Sequence, residues 1–456
     1  MRLRKIMLLI IAVSLTVEAV QGVAKTNLED QVSGHQDQHR ENEALAHMRF
    51  VDSALVVAWN QIVNDIAFAE DQFLTFKGVR AHAMMHIAMH DALNAIVPLY
   101  RQYAFRGQEP DADPVAAAAQ AAHDVIVSQY PGEQVKVDAE LAKWLSLVPD
   151  GHRKMSGISL GSKSAAAILA LRAADGWDFQ GTYNFSSELG AYQTTPTWNG
   201  FVLQPGFRFA KPFGIRDATQ FRPAPPPPLT SREYAAAYNE VKDFGRVDSL
   251  VRTPDQTGYA VWWMEFTEGS MNRLARQLVT AKRTHLWRAT RMFAHLNMGM
   301  FDSYLANWDS KYEHNHWRPY TAVREAAGDG NPATAPDSSW EPLRTTPPFP
   351  EYVSAHAAVC EVSFAVLKQT FGDDLNFTMK TTTAPPEMPT RSFPNFDAAA
   401  AECADSRVRV GFHFRYSTDA GLVLGRAVAG WIIEKHLQFR KAPEWQGNSG
   451  LQGFLH

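Results

Sequence analysis

The sequence predicts an all-α protein built from two helical bundles that are joined by a Pro-rich crossing segment. Apolar residues recur at helical spacing from Val51 onward, and several Ala-rich stretches continue the pattern. Residues 181–230 interrupt it, because they are rich in Gly, Pro, Thr and aromatic residues and end in a run of prolines. Such a run cannot continue a helix and forms a stiff, extended connection. No segment shows a strand alternation strong enough to predict a sheet.

The first bundle is predicted over residues 45–180 and the second over residues 231–440, followed by a C-terminal tail at 441–456. Periodicity places the helices of the first bundle at about 52–75, 79–97, 114–129, 134–147 and 158–174. Those of the second are predicted at about 231–246, 254–267, 280–307, 355–371, 396–411 and 419–437.

The N-terminus has the pattern of an export signal. Basic residues precede a short apolar run, and small residues follow, so residues 1–24 are predicted as a signal peptide and residues 25–44 as a disordered leader. An uncleaved anchor or lipid attachment is the alternative, but the run is shorter than the roughly 20 residues that span a bilayer. We therefore expect a secreted or periplasmic protein with no membrane span in its mature chain.

The net charge of −4 is mild, and it argues against nucleic acid as a partner. If the protein binds an anion, the positive charge must come from basic residues clustered at the binding site. Lys311 and Arg318 lie seven residues apart, which is two helical turns, and Pro319 follows directly. This spacing predicts that both cations project from one face of a helix that ends at Arg318.

A second segment combines a proline-rich loop with a helix start. Ser354 has the position of an N-cap before a helix that begins near Ala355, and His356 follows in its first turn. A helix N-terminus offers free N–H groups and a positive dipole end, which suit an oxyanion. His356 is placed to give or take a proton near neutral pH.

A third segment brings a cation and a histidine together only if a helix stops between them. Arg407 and His413 are six residues apart, which is not a helical repeat, and Gly411 is a suitable place for the stop. His413 is then a candidate nucleophile or metal–oxyanion ligand. Asp419 either orients His413 or caps the next helix.

Taken in this order, the three segments resemble the K-x6-R-P, P-S-G-H and S-R-x5-H motifs of the vanadium haloperoxidase and type 2 phosphatidic acid phosphatase superfamily. The vanadium-dependent haloperoxidase-like branch is the better match, and the resemblance runs over most of the mature chain. The sequence departs from the family where Ala355 replaces the usual Gly and Val353 the usual Pro. Ala355 keeps its N–H, but its methyl group occupies space near the expected peroxide and halide positions.

The resemblance implies a role for each motif residue in binding vanadate or phosphate. Lys311, Arg318 and Arg407 would neutralise the equatorial oxygens of the oxyanion. Ser354 and the N–H of Ala355 would donate hydrogen bonds to the same oxygens.

The two histidines would act on opposite sides of that oxyanion. His413 would be the apical ligand of vanadium, or the phosphorylated residue if the substrate is a phosphate ester. His356 would be the acid–base partner. Trp308 and Phe349 match positions that wall the halide pocket.

The resemblance implies a vanadate-dependent haloperoxidase that oxidises halide with hydrogen peroxide. The first alternative is an acid-phosphatase-like hydrolase that needs no vanadate and forms a phospho-histidine in the same pocket. The second is a non-catalytic oxyanion-binding relative. Every version predicts small-molecule ligands: peroxide and halide, or a phosphate ester.

Two further groups of side chains have competing interpretations. Cys360 and Cys403 either pair in an oxidising compartment or pack as two buried thiols, and the second interpretation is slightly favoured. His82, His86 and His90 recur every fourth residue, as a zinc stripe would, but their apolar surroundings favour buried, hydrogen-bonded histidines.

Overall fold

Helices make up nearly all of the regular structure in this computed structural model, which describes residues 39–440. Fourteen α-helices and one two-stranded sheet occur within these residues, so the all-α prediction is confirmed. The helices of the first half are α1 (39–47), α2 (Ala54–Asp71), α3 (Lys77–Ile96), α4 (Pro114–Gln129), α5 (Gln134–Ser146) and α6 (His152–Leu171).

The second half holds the remaining helices: α7 (Arg232–Phe244), α8 (Pro254–Trp262), α9 (Thr267–Ala281), α10 (Leu286–His314), α11 (Pro319–Glu325), α12 (Ala355–Phe371), α13 (Phe396–Arg409) and α14 (Arg415–Lys435). A hairpin that was not predicted pairs β1 (Phe377–Lys380) antiparallel with β2 (Thr390–Phe393). Phe377 faces Phe393 across this hairpin, and both side chains are buried. Their burial makes the short strands part of the core.

Elements α2 to α14 lie in one compact unit, Asp52–Gln438, which holds residues 52–180 of the first predicted bundle and 231–438 of the second. Helix α1 belongs to a separate unit, and its residues 39–44 fall within the segment predicted to be disordered. The predicted signal peptide and C-terminal tail lie outside the described residues. Within residues 39–440, no helix combines the length and apolar character needed to cross a membrane.

Helix α10 is the longest helix of the described chain and packs against both α3 and α12. Nearly every residue from Leu286 to Lys311 is buried. Polar residues within this span are therefore buried with it, and each needs a partner inside the protein.

The crossing segment contains no α-helix and is fastened to α10 by a buried carboxylate. Asp302 accepts hydrogen bonds from the backbone N–H groups of Phe213, Gly214 and Ile215, at 2.7, 2.5 and 2.9 Å. Farther along the same helix, Asp309 pairs with Arg222 at 2.6 Å. Side chains of α10 thus supply the polar partners that the irregular segment lacks within itself.

The three histidines of α3 are fully buried, and each forms a hydrogen bond. His82 Nδ1 lies 2.8 Å from the carbonyl of Gly78, His86 Nε2 lies 2.9 Å from Asn60 Nδ2, and His90 Nδ1 lies 3.1 Å from Asp91 Oδ1. Burial lowers the pKa of His82 to about 4 and that of His86 well below its usual value. The interpretation as buried, hydrogen-bonded histidines is confirmed.

Candidate oxyanion site

Lys311 lies in the last turn of α10 and is fully buried. Its Nζ donates to three carbonyl oxygens of the following loop, those of Pro350, Glu351 and Val353, at 3.1, 2.9 and 2.5 Å. Burial and the neighbouring charge of Arg318 lower its pKa well below the usual value. All three N–H donors of the ammonium are therefore engaged by the loop, so Lys311 contributes charge and also holds the loop in place.

Arg318 is buried beside Lys311, although not on the predicted helix. Helix α10 ends at His314 because Asn315 adopts a left-handed conformation with a φ of 47°. Pro319 then begins α11, and Arg318 is its N-cap. The prediction that Arg318 occupies the last turn of α10 is therefore wrong, since proline is also a favoured first residue of a helix.

The guanidinium of Arg318 reaches across the pocket to the residues around His413. Its Nε donates to the Phe349 carbonyl at 2.8 Å, and its Nη1 lies 3.0 Å from the Phe412 carbonyl and 3.2 Å from His413 Nε2. Burial lowers its pKa to about 10, which still leaves a cation at neutral pH.

Ser354 and His356 occupy the predicted helix start. Ser354 is the N-cap of α12, its hydroxyl accepts a hydrogen bond from the N–H of Ala357 at 3.5 Å, and Ala355 is the first helical residue. The other N–H groups of this first turn, those of Ala355 and His356, have no acceptor within their own helix and can donate to an anion. His356 is the one of the six proposed charged or polar residues that is partly exposed.

Arg407 and His413 come together as predicted. Helix α13 ends at Arg409, and Gly411 adopts a φ of 86°, a conformation that glycine tolerates best. The N–H of His413 consequently donates back to the Arg407 carbonyl at 3.2 Å. Burial, followed by the charge of Arg318, lowers the pKa of Arg407 to about 9.

The sequence prediction missed Glu351, a fully buried carboxylate beside His413. Its Oε1 lies 2.8 Å from His413 Nδ1 and accepts the N–H of Phe414 at 3.0 Å. Burial raises the pKa of Glu351 to about 7, against the opposing charges of Arg318 and Lys311. Asp419 is exposed beyond the first turn of α14, whose N-cap is Phe414. Glu351 and Arg318 contact the two ring nitrogens of His413, so the structure does not support an orienting role for Asp419.

A disulfide joins the two helices that carry His356 and Arg407. Cys360 lies one turn after His356 on α12, Cys403 lies one turn before Arg407 on α13, and their sulfur atoms are bonded. The favoured interpretation as two separate thiols is therefore wrong. The sequence showed only that the chain has two cysteines and that each lies near a proposed site motif. Neither observation decides whether they form a disulfide.

An aromatic wall stands beside the cations. The rings of Trp308 and Phe349 lie 5.0 Å apart between centroids. Phe349 has Lys311 Nζ 5.0 Å and the Arg318 guanidinium carbon 4.8 Å from its ring centre. Trp308 is buried on α10, three residues before Lys311, so the two side chains lie on neighbouring parts of one helical face.

Three buried donors of this pocket have no hydrogen-bond partner among the described residues: Arg318 Nη2, Arg407 Nε and Trp308 Nε1. The buried Nε2 of His356 also lacks a partner there. Burial lowers the pKa of His413 well below its usual value, and the charges of Arg318, Lys311 and Arg407 lower it further. Unpartnered buried donors are rare in folded proteins. A ligand that offers only acceptor oxygens and negative charge, such as vanadate or phosphate, suits this set of donors.

Comparison with known proteins agrees with this chemistry. The sequence model described as the VCPO second helical-bundle domain matches residues 291–442. Vanadium chloroperoxidase of Curvularia inaequalis is 24% identical over 64% of this chain. The chain spans 60% of the length of that curated relative.

Two solved structures share the fold. A bacterial vanadium-dependent iodoperoxidase matches with a TM-score of 0.74 and 23% identity, covering 86% of this chain and 99% of the other. A bacterial vanadium-dependent chloroperoxidase matches with a TM-score of 0.64 and 17% identity, covering 78% and 90%. The family-matched residues 291–442 include all six of the proposed charged and polar site residues. The chain is thus similar to vanadium haloperoxidases in the sequence of its second half and in its fold.

Proposed function

We propose that this chain is a vanadate-dependent haloperoxidase that oxidises a halide with hydrogen peroxide. The observation that carries the proposal is the set of buried cations around His413, whose Arg318 and Arg407 guanidinium groups retain unpartnered donors. Desolvated cations of this kind are stabilised by an anion that enters among them. Vanadate, when bound, would supply a Lewis acid that polarises peroxide without changing its own oxidation state.

The residues of the chain would hold and orient that anion. Arg318 and Arg407 would donate to its oxygens, and Lys311 would add positive charge while fixing the loop that carries Ser354. His413 would present Nε2 as a ligand to the vanadium. His356, whose Nε2 is buried without a partner, would give a proton to or take one from a ligand in the pocket.

The aromatic wall favours the peroxidase over the phosphatase. Trp308 and Phe349 give one side of the pocket an apolar surface next to two cations. Such a surface suits a polarisable halide that enters beside the two cations. The similar proteins named above are a chloroperoxidase and an iodoperoxidase, which supports the same choice.

One purified preparation can test the proposal. Oxidation of iodide, bromide and chloride by peroxide would be measured with and without added orthovanadate, and hydrolysis of p-nitrophenyl phosphate would be measured without vanadate. His413→Ala tests the apical ligand. His152→Ala is the matched control, because His152 is exposed in the first turn of α6.

We expect halide oxidation that requires vanadate, that His413→Ala abolishes and that His152→Ala preserves. Phosphate-ester hydrolysis that is lost in His413→Ala, without vanadate-dependent oxidation, would instead identify the phosphatase. Vanadate binding by calorimetry without either activity would identify a non-catalytic oxyanion-binding relative, and no binding would refute the oxyanion site.

A further inference from the structure

Glu351 forms contacts in the proposed site through both its main chain and its side chain. Its backbone carbonyl accepts from Lys311 Nζ at 2.9 Å, and its backbone N–H donates to the His316 carbonyl at 2.8 Å. Its carboxylate lies against His413 Nδ1 at 2.8 Å. With the main chain bonded on both sides and the side chain fully buried, the carboxylate has little freedom to turn away from the imidazole.

The neighbours of His413 determine which of its nitrogens carries the proton. Arg318 Nη1 lies 3.2 Å from Nε2, and a guanidinium can only donate hydrogen bonds. Nε2 must therefore be the acceptor, which leaves the proton of a neutral imidazole on Nδ1. The carboxylate of Glu351 is the acceptor that Nδ1–H needs. Both contacts thus favour the same tautomer, and the contact with Glu351, at 2.8 Å against 3.2 Å, is the shorter of the two.

We propose that Glu351 is a positioning residue that keeps His413 in the Nδ1–H tautomer with the Nε2 lone pair directed into the pocket. A histidine that binds a metal or attacks phosphorus must use such an unprotonated nitrogen. Carboxylate partners of ligating histidines also fix the ring and raise its basicity. The consequence for oxyanion affinity rests on the proposed function, whereas the tautomer itself does not.

The tautomer can be measured directly in the ligand-free protein. Nitrogen-15 NMR of histidine-labelled protein would distinguish Nδ1–H from Nε2–H, with His413 assigned by its loss in His413→Ala. The variants are Glu351→Gln, which keeps the size of the side chain, and Glu351→Ala. Glu361→Gln is the matched control, because Glu361 is a buried carboxylate on α12 that pairs with Arg426 at 2.8 Å instead.

We expect the Nδ1–H tautomer in the wild type and in Glu361→Gln, and a mixture of tautomers in Glu351→Ala. Vanadate affinity, measured by calorimetry, should fall about 10- to 100-fold in Glu351→Ala and less in Glu351→Gln, which can still accept from Nδ1. An unchanged tautomer in Glu351→Ala would overturn the proposal, as would an Nε2–H wild type. If the wild type binds neither vanadate nor phosphate, the proposed function fails, while the tautomer comparison still decides the role of Glu351.

Discussion

Removal of the Cys360–Cys403 disulfide should lower the free energy of unfolding by an amount that depends on the length of the loop that the bond closes. The bond closes a loop with a sequence separation of 43 residues. Constraining such a loop in the unfolded chain stabilises the folded state by roughly 4 kcal/mol in the chain-entropy account. For a unit of the size of Asp52–Gln438, that corresponds to a fall of about 5 °C in Tm.

The same bond should also affect the site. It lies one helical turn from His356 on α12 and one turn from Arg407 on α13. Without it, the two helices keep their packing contacts and the exposed ion pair of Lys368 with Asp397 at 2.8 Å. Small shifts between the helices would then change how His356 and Arg407 contact an oxyanion. Because positional errors of about 1 Å in such sites cost up to about 100-fold, we expect vanadate affinity to fall measurably.

The assay compares the wild type with the Cys360→Ala/Cys403→Ala double variant by calorimetric unfolding and by vanadate titration, without reductant. Wild-type protein treated with a thiol reductant provides a second way to remove the bond. Ser363→Ala is the control, since Ser363 is another buried small residue of α12 and leaves the disulfide intact.

Two results would refute this reasoning. If mass spectrometry confirms the bond in the wild type and the double variant still unfolds within about 1 °C of it, the loop constraint does not contribute as calculated. If Tm falls while vanadate affinity is unchanged, the bond stabilises the fold but does not hold His356 and Arg407 in place.

Three further substitutions test the site and its surroundings. Arg407→Lys keeps the charge but loses the planar fork, so vanadate affinity should fall about tenfold by calorimetry; equal affinity would show that charge alone suffices. Ala355→Gly keeps the N–H and removes the methyl group, so kcat for halide oxidation should rise by up to about tenfold, and a slower variant would contradict crowding by that methyl. Burial raises the pKa of Glu268 from 4.5 to about 7, so its stabilising contribution is complete below pH 4.5 and lost as pH rises through 7. Glu268→Gln stays neutral and should gain up to roughly 3 kcal/mol over the wild type between pH 4.5 and 8 in denaturant titrations, whereas a pH-independent difference would contradict the shift.

Helix starts were predictable where the signal is local. Helix α4 begins at Pro114, as predicted, because Asp113 caps it by accepting from the N–H groups of Val115 and Ala116. The start of α12 at Ala355 follows from Ser354 in the same way. Helix α9 was not predicted. Its N-cap residue is Phe266, which forms no side-chain capping hydrogen bond, so no local signal marked the start of this helix.

The site was predictable as far as its chemistry lies in short motifs. Gly411 indicated the stop that brings Arg407 and His413 together, and the structure confirms it. The partnership of Glu351 with His413 joins residues 62 positions apart, and no local pattern marks Glu351 as different from any other loop acid. Asp419 was nearer in sequence, but its place in α14 turns it to the exposed surface.

The position of Asp302 on α10 has a consequence for how this chain tolerates changes in length. One rigid helix carries the anchor of the crossing segment at Asp302, the aromatic wall at Trp308 and a proposed site cation at Lys311. A single residue inserted between Asp302 and Lys311 would rotate the following part of α10 by about 100° relative to Asp302 and shift it along the helix axis by about 1.5 Å. The protein should therefore not tolerate insertions in this part of α10. The exposed loop around Leu250 can accept them, because an insertion there leaves the spacing of Asp302, Trp308 and Lys311 unchanged.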